Sequence, residues 1–217
     1  MLELHCERVA AAARRLADQG LASGTAGNLS ERDGRLIAIS PTGAVFEHLQ
    51  ADDVAVVDLD GKQVDGPLAP TSELELHLGV YARNRAGAVV HAHPPVGTAL
   101  GCVIDELPAI HYLMVELGGP VRVAEYATFG TTELAQHTLD ALDGRAAVLM
   151  ANHGALTYGD DLPSAVERML LLEWACTVYW RAALIGTPRS LDDAQLRAVQ
   201  RQLEDRNYGS LLGVDGQ

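Results

Sequence analysis

Apolar and polar positions alternate along the chain in a way that divides it into amphipathic helices and short strands. In residues 2–19, Leu4, Val9, Ala12, Ala13 and Leu16 recur on a helical period, and Gly20 stands where a left-handed residue would end the helix. The apolar segments that follow are short and bounded by turn residues. Residues 29–30 and 35–40 flank Asp33-Gly34, and residues 54–59 and Gln63-Val64 flank Asp60-Gly61, which predicts two hairpins. Thr71-Ser72-Glu73-Leu74-Glu75 opens a helix through Asn84, with Ser72 and Glu75 in the spacing of a capping box. A β-branched run then ends in Val89-Val90-His91-Ala92-His93 and stops at Pro94-Pro95, because neither proline can donate to a ladder.

The second half continues the mixture. Residues 97–104 read as a helix or crossover, and the mostly apolar stretch 108–114 carries the rings of His111 and Tyr112. Residues 121–124 are strand-like, and 126–131 form a turn into a helix over 132–142 that Gly144 ends. An apolar strand over 146–150 runs into Asn152-His153-Gly154 and resumes over 155–158. Asp161, with Pro163 in the first turn, starts a long helix through Ile185 whose leucines, Trp174 and Trp180 predict burial on more than one side. Ser190 caps a last amphipathic helix through roughly residue 207, and disorder is expected only in the tail 213–217.

Length and charge narrow the possibilities. A chain of 217 residues fits one domain that buries roughly 70 % of its unfolded surface, so neither disulfides nor partners are needed merely to fold. The formal charge of -13 opposes nucleic acid or an anionic membrane as partner, since both require basic surface. The longest apolar region, 169–185, is broken by Glu173 and Arg181 and falls short of a membrane span. The first residues are acidic from Glu3 and lack the pattern of a secretory signal. Cys6, Cys102 and Cys176 show no CxxC spacing, which argues against a disulfide framework and for a reduced, cytoplasmic setting.

Candidate chemistry gathers at the strand ends. Side chains alternate on a strand, so His91 and His93 share a face and form half of a possible metal site, which His153 at a second strand end could complete. The chain has eight histidines, however, and an isolated imidazole is more often packed or solvated. Ser23-Gly24-Thr25-Ala26-Gly27-Asn28 and Pro41-Thr42-Gly43 could turn amides toward an anion or be plain turns; neither a Walker lysine nor GxGxxG spacing is present. Thr71, Ser72 and Glu73 read equally as a helix cap with a first-turn acid, or as phosphate-binding hydroxyls beside a base near the metal. Tyr112 is either a core residue or a proton donor.

Taken in order, Gly24-Thr25-Ala26-Gly27-Asn28, Thr42-Gly43, Thr71-Ser72-Glu73, His91-Ala92-His93 and Asn152-His153-Gly154 resemble the motifs of the class II aldolase/adducin family. Ile110-His111-Tyr112 and Tyr126-Ala127-Thr128-Phe129-Gly130-Thr131 are similar to its L-fuculose-1-phosphate aldolase subgroup, and the resemblance covers nearly the whole chain. It implies a single three-layer α/β/α domain over 1–217 with a largely antiparallel central sheet, a mobile tail over 208–217, and a homotetramer with sites between subunits. It also implies Zn²⁺ on His91, His93 and His153, with Glu73 as a ligand of the empty site and the general base once substrate displaces it. Gly27, Asn28, Thr42, Gly43, Thr71 and Ser72 would cradle the phosphate of a sugar phosphate, Tyr112 of the next subunit would donate a proton, and Tyr208 would close the site. Thr71 departs from the serine common in the subgroup.

The implied reaction is reversible cleavage of a ketose 1-phosphate to dihydroxyacetone phosphate and an aldehyde such as L-lactaldehyde. The resulting enediolate needs a Lewis acid or a Schiff-base amine, and Lys62, on a predicted turn, is the one lysine in the chain. Within the family the alternatives are a methylthioribulose-phosphate dehydratase or a pentulose-phosphate epimerase; similar epimerases carry aspartate where Glu73 lies. A non-catalytic adducin-like interaction domain would have no reason to keep three histidines together with Glu73.

Overall fold

A computed structural model describes residues 2–206 of the protein. The chain opens with helix α1 (Glu3–Asp18) and the hairpin β1 (Asn28–Asp33) and β2 (Leu36–Ile39), followed by β3 (Ala55–Asp58), β4 (Gln63–Asp65) and helix α2 (Leu74–Arg83). Then come β5 (Ala88–Ala92), α3 (Pro95–Gly101), β6 (Glu106–Leu107), a 3-10 helix over Tyr112–Leu117, β7 (Val121–Ala124) and α4 (Thr132–Ala141). The hairpin β8 (Ala147–Met150) and β9 (Gly154–Gly159) leads into the long helix α5 (Leu162–Ile185), and α6 (Asp193–Asp205) closes the described chain.

The strands form one sheet in the order β4-β3-β2-β1-β5-β9-β8-β7-β6. Every pairing is antiparallel except β7 with β8. Helices cover both faces, as the strand alternation requires. Ala88, Val90 and Ala92 of β5 pack with α1 and α5 residues such as Val9, Leu16, Val166 and Leu172. Val89 points the opposite way, into a second core with Leu76 and Val80 of α2 and Leu134 and Leu139 of α4. The fold is therefore α/β in three layers with a largely antiparallel sheet, as expected. Central β5 is buried on both faces, so only its end can reach solvent.

Three local expectations are corrected. The capping box of Ser72 and Glu75 does not form: α2 begins at Leu74 with Glu73 in the cap position, and Glu75 Oε2 instead accepts a 2.7 Å hydrogen bond from Thr132 Oγ1 of α4. The last helix is capped by Asp192 rather than Ser190, because Leu191 N donates to Ala109 O before the helix turns, and Asp192 and Gln195 bond reciprocally. Trp174 and Trp180 are 43 % and 46 % exposed rather than buried. With 24 residues α5 is about 36 Å long, and its buried residues end at Cys176, so the helix is covered along one face and only over its first part.

The start of α5 is held by a reciprocal cap in which Ser164 N donates to Asp161 Oδ1 at 2.8 Å and Asp161 N to Ser164 Oγ at 3.2 Å. Asp161→Ala is expected to cost about 1 kcal/mol and lower Tm by roughly 2–4 °C in a thermal melt. An unchanged Tm would mean that packing alone sets this helix start.

Candidate active site

The site lies where three adjacent strands end together. Antiparallel pairing sets Asn28 of β1 opposite His91 of β5, and His91 opposite Leu156 of β9. His91 occupies the same face as Val89, toward α2. His93 lies just past the strand, where its amide donates to Leu21 O at 3.0 Å. The β8–β9 turn supplies His153, with Asn152 at φ 53, a left-handed conformation asparagine tolerates. Gly154 then passes so close to β5 that a Cβ would sit 2.6 Å from Ala92 O and 2.8 Å from His93 Cδ2. Only glycine allows that turn to bring His153 in.

The three rings converge, with centroids 4.9 to 5.1 Å apart. One ligand nitrogen from each lies within 4.8 Å of the others. His91 Nε2 is 3.2 Å from His93 Nε2 and 3.3 Å from Glu73 Oε2, while Glu73 Oε1 is 3.6 Å from His153 Nε2. His91 donates from Nδ1 to the carbonyl of Ala155 at 2.9 Å, which leaves a lone pair on Nε2 in the neutral ring. That carbonyl contact is the usual way a metal-binding imidazole is held in orientation. Glu73 Oε1 is buried without a hydrogen-bond partner. Imidazole lone pairs and a carboxylate facing one another at these distances require a proton or a cation between them. The residues therefore fit a divalent metal.

Burial dominates the electrostatics. It lowers the pKa of His93 and of His153 to about 4, with the charge of His91 acting in the same direction. For Glu73, burial works to raise the pKa, yet His91, a 2.7 Å hydrogen bond from Asn28 Nδ2, and His153 together hold it below the usual carboxylate range. Glu73 is thus an anion and His93 and His153 are neutral at physiological pH, the forms in which each can bind a metal.

A cavity of about 450 Å³ opens beside this cluster, lined by Gly27, Asn28, Thr42, Gly43, Thr71, Ser72, Glu73, His93 and His153. Ten of the twelve residues singled out in the sequence thus meet, with buried His91 directly behind the cavity wall. Tyr112 does not join them; it lies in a separate groove against Ala198, Val199 and Leu203 of α6. Tyr208 lies outside the described residues. Sequence reasoning missed the apolar rim of Tyr126, Ala127 and Phe129, which it treated as a turn. It also missed His77, whose Nε2 is 2.6 Å from Asn28 Oδ1; the four-residue spacing from Glu73 was the available signal.

Comparison with known proteins agrees with this geometry. Residues 7–180 match the family described as Class II Aldolase and Adducin N-terminal domain. The chain belongs to that family. It is 38 % identical to the 5-methylthioribulose-1-phosphate/5-deoxyribulose-1-phosphate aldolase of Rhodospirillum rubrum, over 91 % of this chain and 89 % of the relative. It is 34 % identical to the 5-deoxy-D-ribulose 1-phosphate aldolase of Bacillus thuringiensis serovar kurstaki, over 96 % and 99 % of the two chains. A solved L-fuculose 1-phosphate aldolase superposes with a TM-score of 0.88 at 36 % identity, covering 92 % of this chain and 96 % of that one. By family and enzyme class the protein is a class II aldolase.

The buried imidazoles fix a pH dependence. In the unfolded chain a histidine titrates near 6.5, whereas His77, His93 and His153 in the fold do so at about 3, about 4 and about 4. Below pH 6.5 the unfolded state binds more protons, so stability falls with pH, and the lowered Glu73 adds to the loss further down. Metal-free protein is expected to show a lower urea midpoint at mildly acidic than at neutral pH. Equal midpoints would contradict the burial of neutral rings.

Proposed function

We propose that this class II aldolase reversibly cleaves a ketose 1-phosphate with a deoxy terminus to dihydroxyacetone phosphate and a short aldehyde. The 5-deoxypentulose and L-fuculose 1-phosphates are the two substrate types. The observation that carries the reading is the convergence of three imidazoles and an ionised, buried carboxylate beside a cavity whose lining also holds turn backbone and hydroxyls. The names of the curated relatives support the substrate class, and the apolar rim of Tyr126, Ala127 and Phe129 suits an aldehyde that ends in a methyl or methylthio group.

In this reading His91, His93 and His153 hold one zinc ion per subunit, with Glu73 as a further ligand before substrate enters. Bound there, zinc supplies Lewis-acid stabilisation of the negative charge left when the carbon–carbon bond breaks. Gly27, Asn28, Thr42, Gly43, Thr71 and Ser72 bind the phosphate through amides and hydroxyls, which suits a chain too acidic to offer a basic surface. Glu73 is the acid–base group. Its Oε2 is engaged by Asn28, so Oε1 is the atom that returns a proton to the dihydroxyacetone phosphate carbon in cleavage and removes it in synthesis.

Tyr112 is assigned to the aldehyde oxygen of a neighbouring subunit's site within a homotetramer, and Tyr208 to closure over bound substrate. Tyr112 is 43 % exposed within its own chain, and the exposed end of α5, with Ile185 at 91 %, leaves apolar surface for subunits to cover. Among the described residues no helix is long and apolar enough to cross a membrane.

Two measurements test the proposal. Incubation with 5-deoxyribulose, 5-methylthioribulose and L-fuculose 1-phosphates is expected to release dihydroxyacetone phosphate, to stop on chelation and to resume with zinc. Epimer or dehydrated sugar without dihydroxyacetone phosphate would replace the aldolase reading. Glu73→Gln is expected to keep its metal while kcat falls by about 100-fold or more; unchanged turnover would remove Glu73 from the chemistry.

A further inference from the structure

Behind Glu73 runs a line of buried polar groups that the reaction as described does not use. Asn28 Nδ2 donates to Glu73 Oε2 at 2.7 Å, Asn28 Oδ1 is 2.6 Å from His77 Nε2, His77 Nδ1 is 2.7 Å from Ser30 Oγ, and Ser30 Oγ is 2.7 Å from the Tyr81 hydroxyl. Asn28, Ser30, His77 and Tyr81 are all at least 95 % buried. The line exists because two periodicities agree. Glu73, His77 and Tyr81 are spaced by four on α2 and Asn28 and Ser30 by two on β1. Four helical residues advance about 6 Å and two strand residues about 6.6 Å, so side chains from the two elements interdigitate in step.

The direction of every hydrogen bond follows from the Asn28 amide, whose NH₂ donates to Glu73 Oε2 and whose carbonyl faces His77. A carbonyl only accepts, so His77 must carry its proton on Nε2. Nδ1 is then bare, so the Ser30 hydroxyl donates to it, and Tyr81 donates in turn to Ser30 Oγ. Burial keeps the His77 ring neutral, with its pKa lowered to about 3, in agreement with a single proton on the ring.

We propose that His77 is a positioning residue of the aldolase site: by donating from Nε2 to Asn28 Oδ1 it fixes the Asn28 amide so that Nδ2 occupies Glu73 Oε2, leaving Oε1 as the oxygen that faces substrate. The proposal rests on Glu73 being the acid–base group. With Asn28 free to turn over, its carbonyl oxygen would meet the carboxylate, and the carboxylate would lose both its orientation and a charge-assisted hydrogen bond. The Asn28 side chain is thereby committed to Glu73.

Three variants and one spectrum test this. His77→Leu removes donor and acceptor together and is expected to lower kcat by about 10- to 100-fold with KM and metal content little changed. His77→Gln can place an amide N–H on Asn28 Oδ1 and should recover most of that loss. Equal losses in the two variants, or wild-type kcat in His77→Leu, would overturn the proposal in favour of a packing role. Should His77→Leu fail to fold, Ser30→Ala serves instead: without the hydroxyl, part of the His77 population is expected to move its proton to Nδ1, with a smaller drop in kcat. No movement of the proton and no drop would count against the relay.

Long-range ¹H–¹⁵N spectra of the wild-type histidine rings decide the order of hydrogen bonds without an activity measurement. A neutral Nε2–H ring at neutral pH is expected for His77, and an Nδ1–H or cationic ring sinks the proposal. If no ketose phosphate is cleaved by wild-type protein, the functional reading fails while this spectrum still reports on the relay.

Discussion

The site depends on keeping one carboxylate ionised inside the protein. Glu73 is only 7 % exposed, and an isolated buried anion is expensive enough that carboxyl groups normally take up a proton instead. Here neighbouring imidazoles, an amide donor from Asn28 and a position at the start of α2 oppose that tendency, and the pKa ends below its usual value. None of these partners is close in sequence to the others. They meet because β1 and β5 are adjacent and in register, with Asn28 facing His91, and because α2 lies across that face of both strands.

The same sheet explains why the candidate ligands stop where they do. A central strand covered on both sides offers chemistry only at its end, so His91 is the last side chain of β5 facing α2, and His93 follows outside the ladder. The chain leaving His93 is then held by a helix from the other layer. Glu173 of α5 accepts from the amides of Val96 at 2.9 Å and Gly97 at 2.8 Å, tying the start of α3 in place. This carboxylate satisfies helix-terminal amides that lack an intrahelical partner. The long helix thus reaches the site indirectly, by fixing the segment that follows His93.

Much of this was legible in the residue pattern, and the losses have physical causes. Strand ends at His91 and His153, the two hairpins, the Gly20 stop and the Asp161 start follow from local chemistry of turns and caps, and all are found in the structure. The Ser72 and Glu75 box failed because it competed with a tertiary hydrogen bond to Thr132 that local spacing does not reveal. Ser190 lost its place to Asp192 because the backbone of Leu191 was already paired with Ala109. The burial expected for Trp174 and Trp180 is a property of composition, whereas exposure depends on which face of α5 the fold covers and how far along the helix that cover runs. His77 was passed over because a histidine on the apolar face of a helix looks like core until its strand partners are known.

Two groups of residues that line or back the cavity are built differently, and this suits the division of labour proposed for them. The imidazoles and Glu73 stand on or next to regular elements whose rotamers are fixed by packing and by hydrogen bonds to Ala155 O and Asn28. Other parts of the lining are turns, with Gly27 at φ 105 and Gly43 at φ 69. At Gly27 a Cβ would lie 3.0 Å from His91 O, so the turn can approach β5 only because that residue lacks a side chain. Atoms that exchange protons or stabilise charge in a transition state tolerate little misplacement, while an anion gripped by several amides does not demand one exact geometry. In the proposed reading, substrates that share a phosphate and differ in the aldehyde would use one cradle and one reacting centre, with discrimination left to the exposed rim of Tyr126 and Phe129.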